Sequence, residues 1–118
     1  MSNHNGIAGD AVTQRFARFN ARSDVADVVS RYADWARSSD GIRIGIQLAL
    51  LAMQRVRGLM PRQAYRRAVR ELAPTTTIPL RYFLVLAECQ LELLRCGLAG
   101  TGQIPFAPTE WDAEGSEA

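Results

Sequence analysis

The sequence predicts an all-α fold, a small bundle of about four helices in one domain. Apolar residues recur at three- and four-residue spacing in four successive stretches, the signature of amphipathic helices. No stretch alternates with the two-residue period of a strand. Ser38-Ser39-Asp40-Gly41, Gly58 and Ala73-Pro74 punctuate the four stretches where helices stop. The 118 residues, 47% hydrophobic and 22% charged, suit a single globular core.

Residues 1–22 read as a flexible N-terminal arm. The first ten are polar and rich in Gly and Asn. The next twelve carry Phe16 and Phe19 among Arg15, Arg18 and Arg22, which suits a short amphipathic helix or an arm that docks two phenylalanines. The bundle domain is expected over 23–98. Its first helix starts near Ser23 or Asp24, either of which can cap it, and buries Val25, Val28, Val29, Tyr32, Ala33 and Ala36. The second runs from about Ile42 to Arg57. Its main stripe is Ile42, Ile46, Ala49, Leu50, Met53 and Val56, widened by Leu48, Leu51 and Ala52, so it is expected at the centre of the bundle or in an oligomer interface.

Gly58 stops the second helix, and Pro61 suits the first turn of the third. The third faces Ala64, Tyr65, Ala68, Val69 and Leu72 inward. The fourth runs from Pro79 to about Gly97, with a core stripe of Leu80, Phe83, Leu84, Ala87, Leu91 and Leu94. A second apolar face, formed by Tyr82, Val85, Cys89, Leu93 and Cys96, leaves two readings: a homodimer seam, or a surface covered by the N-terminal arm. Residues 99–118 read as a flexible tail, acidic through Glu110, Asp112, Glu114 and Glu117.

The residue inventory argues against an enzyme. His4 is the sole histidine, so the usual general base and the histidine metal clusters are missing. Cys89 and Cys96 lie roughly 10 Å apart along a helix, too far for a disulfide, and read as buried free thiols or, less simply, an intermolecular pair. Glu88 and Glu92 share a helix face and read as a solvated acidic edge rather than a metal pair. No cofactor and no metal are expected. The first ten residues lack a signal-peptide pattern, and the longest apolar run, Ile44 to Met53, contains Gln47. The expected location is the cytoplasm, without membrane contact.

Charge is segregated along the chain. All fourteen basic residues are arginine. Between Gly41 and Arg81 there are eight arginines against one acid, Glu71, a local charge of +7, while the last twelve residues carry −4. A basic face on a compact helical unit is the electrostatic footprint of a phosphate binder. The candidate contacts are Arg55, Arg57, Arg62, Arg66, Arg67, Arg70 and Arg81. Arg62, Arg66 and Arg70 share one face of the third helix, and Arg67 flanks them. The same arginines would also suit the chain's own acidic tail or an acidic protein partner.

Within residues 47–87, Met53-x-Arg55, Gly58, Ala64-Tyr65, Thr77 and Pro79-Leu80 stand in an order that resembles the ANTAR domain, a three-helix RNA-binding module of bacterial transcription antiterminators. The resemblance implies a protein that binds RNA stem-loops competing with terminators, usually as a dimer. The chain departs from that pattern by one-residue insertions before Gly58 and within 64–80, and by Pro61 and Pro74. RNA is favoured through this resemblance, with DNA close behind: the turn Arg57-Gly58-Leu59-Met60 would suit a helix-turn-helix, but no Gln or Asn follows the arginines on their face to read base edges. The alternative is a protein-interaction or adaptor module working through the doubly apolar last helix.

Overall fold

The structure, a computed structural model, describes residues 3–102, with side chains from residue 11 onward. Among the described residues it is helical and without strands: α1 (Asn3–Asn20), α2 (Ser23–Arg31), α3 (Ala33–Arg37), α4 (Ser39–Val56), α5 (Arg62–Leu72), a 3₁₀ turn (Ala73–Thr75) and α6 (Leu80–Gly100). The all-α expectation holds. There are six α-helices in place of about four, for two reasons. Residues 3–20, expected as a flexible arm, form α1 and lie along α6. The first expected helix breaks at Tyr32, whose φ of −111° and ψ of 17° leave the helical range. Of residues 99–118, expected as the acidic tail, Ala99 and Gly100 belong to α6, and 103–118 lie outside the described residues.

The break at Tyr32 has a packing cause. Val25 and Val28 of α2 pack with Phe19 and Val85, whereas Trp35 of α3 packs on the cluster built by α4, α5 and α6. One straight helix would keep Trp35 on the first track. Tyr32 sits between the clusters and touches both. Ser38 then caps α4, its side chain accepting from the Gly41 amide at 3.1 Å. Ser23 and Asp24 fall inside the first turn of α2, and the N-cap is Arg22 without a side-chain cap.

α6 is the shared wall. One face, Phe83, Ala87 and Leu91, packs with Ile44, Leu48 and Ala52 of α4 and with Tyr65 and Val69 of α5. The other face meets α1 and α2. Val12 lies beside Gly100, Arg15 beside Glu92 and Arg22 beside Glu88, so α1 runs antiparallel to α6. The second apolar face of α6 is therefore covered within one chain. Of the residues expected at an oligomer seam, Val85 and Cys96 are buried within the chain, Tyr82 and Cys89 half-buried, and Leu93 alone is exposed.

α4 is also turned from its expected setting. Ile44, Leu48 and Ala52 face the core, and the stripe Ile42, Ile46 and Leu50 faces outward, 54–60% exposed. A helix apolar on most sides offers two stripes, and periodicity alone does not select between them.

The contact between α1 and α6 is ionic at its centre. Arg15 Nε donates to Glu92 Oε2 at 2.9 Å and Arg15 Nη2 to Glu92 Oε1 at 3.2 Å, with both side chains 3% exposed. Cys96 Sγ donates to the same Glu92 Oε2 at 3.4 Å. Glu92 is thus not the solvated edge residue the sequence suggested. Removing one member of such a pair strands a buried charge and costs about 3–5 kcal/mol, whereas replacing both by apolar groups is often neutral. Glu92→Gln and Arg15→Met should each lower urea stability by that amount, and Arg15→Met with Glu92→Leu should recover most of it. Full additivity of the two single losses would contradict the pairing.

Gly41 marks the close crossing of α3 and α4. A Cβ there would stand 1.9 Å from the Trp35 carbonyl oxygen, backbone that cannot step aside cheaply. Gly97, near the exposed end of α6, has nothing within 4 Å of such a Cβ. Gly41→Ala should destabilise by about 3 kcal/mol or more, and Gly97→Ala should stabilise by about 0.5–1 kcal/mol through helix propensity. Equal effects of the two in thermal denaturation would refute the close crossing.

Candidate functional site

The arginines divide into two groups by partner. Five arginines ahead of residue 44 are paired internally. Arg15 holds Glu92, Arg22 holds Asp24 and Glu88, Arg31 holds Asp27, Arg37 holds Asp34, and Arg43 stands 3.6 Å from Asp40. Among the described residues, Arg18, Arg57, Arg67, Arg70 and Arg81 have no carboxylate within 4 Å. The charge segregation seen in the sequence thus sharpens in three dimensions, because the acids of the first half are spent on its own arginines.

α5 builds the densest part of the basic face. Tyr65 and Val69 anchor it to the core, which turns the opposite side to solvent. There an open groove of about 600 Å³ is lined by Gln63, Arg66, Arg67, Arg70, Glu71 and Pro74. Arg67 and Arg70 are exposed, Arg66 half-buried. Arg62 lies outside that lining and is half-buried. The exposed part of the basic face is therefore Arg67 and Arg70, with Arg66 at its edge and Arg62 outside it.

Arg55 and Arg57 close α4. Arg55 is half-buried, and its Nη1 donates to the Met60 carbonyl at 3.4 Å across the turn. Arg57 is the exposed C-cap residue, where the helix dipole favours a cation. Gly58 follows with φ of 76°, the left-handed conformation that ends the helix. Arg81 belongs to a different cluster. Its guanidinium lies 4.6 Å from the Tyr82 ring centroid and donates to Tyr82 Oη at 2.9 Å. Arg31 lies 4.8 Å from the same ring, and Tyr32 is 5.9 Å away. This arginine–tyrosine cluster, joining α2 to α6, was not foreseen from the sequence. Tyr82 carries its visible part, as an aromatic next to Arg81.

Glu88 also differs from its expected role, since Arg22 Nη1 donates to it at 2.9 Å. Arg22 bridges Glu88 and Asp24, and its hydrogen bond to Asp24 raises the guanidinium above its usual range against the opposing effect of burial. The same bond holds the Asp24 carboxyl below its usual value. The stability this contributes is present above the unfolded carboxyl range and is lost as pH falls through the lowered value.

Cys89 and Cys96 are free thiols. Burial pushes each up to about 11, with Glu88 acting in the same direction on Cys89 and Glu92 on Cys96. Among the described residues no cluster of three or more His, Cys, Asp or Glu is placed to hold a metal. No helix of the described residues is long and apolar enough to cross a membrane. No family model matches the chain, and no curated protein or solved structure is significantly similar to it.

The thiol environment sets a reactivity. A pKa about two units above a free thiol leaves roughly a hundredfold less thiolate at pH 8. Alkylation of both cysteines by iodoacetamide should be slower than that of a peptide thiol by at least that factor, and should reach the peptide rate in urea. Peptide-like alkylation of the native chain would contradict the burial. The raised values also favour the fold below pH 9, and this contribution fades as pH rises toward 11.

Proposed function

We propose that this chain is a small regulatory protein that binds RNA through backbone phosphates, using the arginine face of α5 and the neighbouring end of α4. The observation that carries the reading is the partner census. Arg57, Arg67 and Arg70 have no carboxylate of their own among the described residues, while five arginines of the first half each hold one. A guanidinium is a planar fork suited to phosphate. Arg66, Arg67 and Arg70 line one groove on α5, an arrangement that suits a polyanion better than a single small anion.

RNA is favoured over DNA by the ANTAR-like order of Met53, Arg55, Gly58, Ala64-Tyr65 and Pro79-Leu80. That resemblance supports a cytoplasmic regulator of transcript termination that works as a dimer without cofactor or catalysis. A dimer would have to use a surface other than the second face of α6, which α1 and α2 cover. An adaptor role is the second reading. Its support moves from the last helix to α4, where Ile42, Ile46 and Leu50 are exposed together.

A gel shift with a structured RNA pool and duplex DNA tests the proposal. Binding should be strong at about 50 mM salt, fall by orders of magnitude at about 200 mM, and favour RNA. Changing Arg66, Arg67 and Arg70 to Gln should weaken it across all sequences and lower the salt slope by about one per lost phosphate contact. Absence of binding at low salt would refute the proposal, as would binding indifferent to the three substitutions.

A further inference from the structure

The exposed stripe of α4 borders two grooves. Trp35, Ile42, Gly45, Ile46, Leu86 and Gln90 line an apolar one of about 410 Å³. Gln47, Leu50, Leu51 and Leu72 line a second, also about 410 Å³. Glu71 lines both this second groove and the arginine groove of α5.

Residues 103–118 carry complementary chemistry. Ile104 and Phe106 come first, Trp111 stands between Glu110 and Asp112, and Glu114 and Glu117 follow. The starting point also fits. Gln90 Nε2 donates to the Gly45 carbonyl at 3.4 Å, which pins the apolar groove beside the middle of α6. Gly102, where the described chain stops, lies twelve helical steps further on, roughly 18 Å away. Nine residues from Gly102 to Trp111 span up to about 30 Å when extended, enough to return to Gln90 and continue along α4. The six residues from Trp111 to Glu117 add up to about 20 Å when extended.

We propose that residues 103–118 dock in cis along these grooves, with Trp111 on Ile42, Ile46 and Leu50, and with Glu114 and Glu117 at Arg67 and Arg70. Apolar contact supplies the anchor, and the acids occupy the guanidinium forks that RNA phosphates would otherwise take. Arg66, Arg67 and Arg70 outnumber Glu71 in that groove, so the added carboxylates enter a positive field. The docking stands on the grooves themselves. Its consequence, competition between the tail and RNA, rests on the reading given under Proposed function.

The test uses the full chain labelled with 5-fluorotryptophan, whose two ¹⁹F signals report Trp35 and Trp111. A Trp111→Phe variant assigns them. The docked tail should give a Trp111 resonance displaced from its position in urea and unchanged on dilution. Ile46→Ser with Leu50→Ser should return that resonance to the urea position while circular dichroism keeps its helical signal, since both side chains are exposed. A native Trp111 resonance at the urea position overturns the proposal, and so does one that the double variant leaves in place. A displacement that vanishes on dilution assigns the groove to a second copy and overturns docking in cis.

Changing Glu110, Asp112, Glu114 and Glu117 to Gln should raise RNA affinity severalfold at low salt, and unchanged affinity overturns the competition. The fluorine readout contains no RNA. A chain that binds no RNA yet holds Trp111 on α4 contradicts the RNA reading alone. An RNA-binding chain with a solvated Trp111 contradicts only the docking.

Discussion

A guanidinium and a carboxylate, each 3% exposed, set the arrangement of this molecule. Neither group survives burial alone, because the desolvation of an unpaired ion amounts to several kcal/mol. Arg15 and Glu92 must therefore meet whenever α1 is packed, and their meeting fixes both the register and the direction of α1 on α6. Apolar contact alone would tolerate a slip by one turn. With the register set, Phe19 falls against Val25, Val28 and Val85, and a second core closes on the side of α6 that α4 and α5 leave open. One helix then supports two cores, which is how about a hundred residues bury two apolar faces without a partner chain.

The same interaction shapes the surface. Acids that could have balanced the basic second half of the chain are committed elsewhere. Glu92 and Glu88 hold α1 through Arg15 and Arg22, and Asp27, Asp34 and Asp40 each serve a neighbour within four residues. Glu71 is left as the lone carboxylate lining the α5 groove. The positive field there is a consequence of where the internal pairs were placed, as much as of the arginine count. On the reading proposed above, a basic face of this kind would take a polyanion. The exposed apolar stripe is on α4.

Much of the fold was legible because helix periodicity and breakers are local signals. Gly58, Pro61, Ala73-Pro74 and Pro79 bounded α5 and α6 to within a few residues. The setting of α4 was not legible, since an all-round apolar helix carries two usable stripes and the choice lies in its neighbours. The split at Tyr32 was hidden for a similar reason: its cause is the separate destination of Trp35. The burial of Arg15 and Glu92 left a faint signal. Arg15 falls on the line Val12, Phe19, Arg22, and Glu92 on the line Val85, Cys89, Cys96, Ala99, both with alternating three- and four-residue steps. A charge inside each of two facing seams is the pattern of a buried pair across them. Among the candidate arginines, helix spacing placed Arg62, Arg66 and Arg70 on one face, and only the anchoring of Tyr65 and Val69 showed that Arg67 and Arg70 are the exposed ones.

Amide hydrogen exchange, read segment by segment in the intact chain, tests most directly whether α1 is an integral layer held by the buried pair. Residues 11–20 should show protection of the same order as residues 83–96 of α6, because opening the second core requires separating Arg15 from Glu92. Exchange of 11–20 at the rate of an unstructured peptide, with α4 to α6 still protected, would contradict that role and return the N-terminal segment to the flexible arm its polar start resembles.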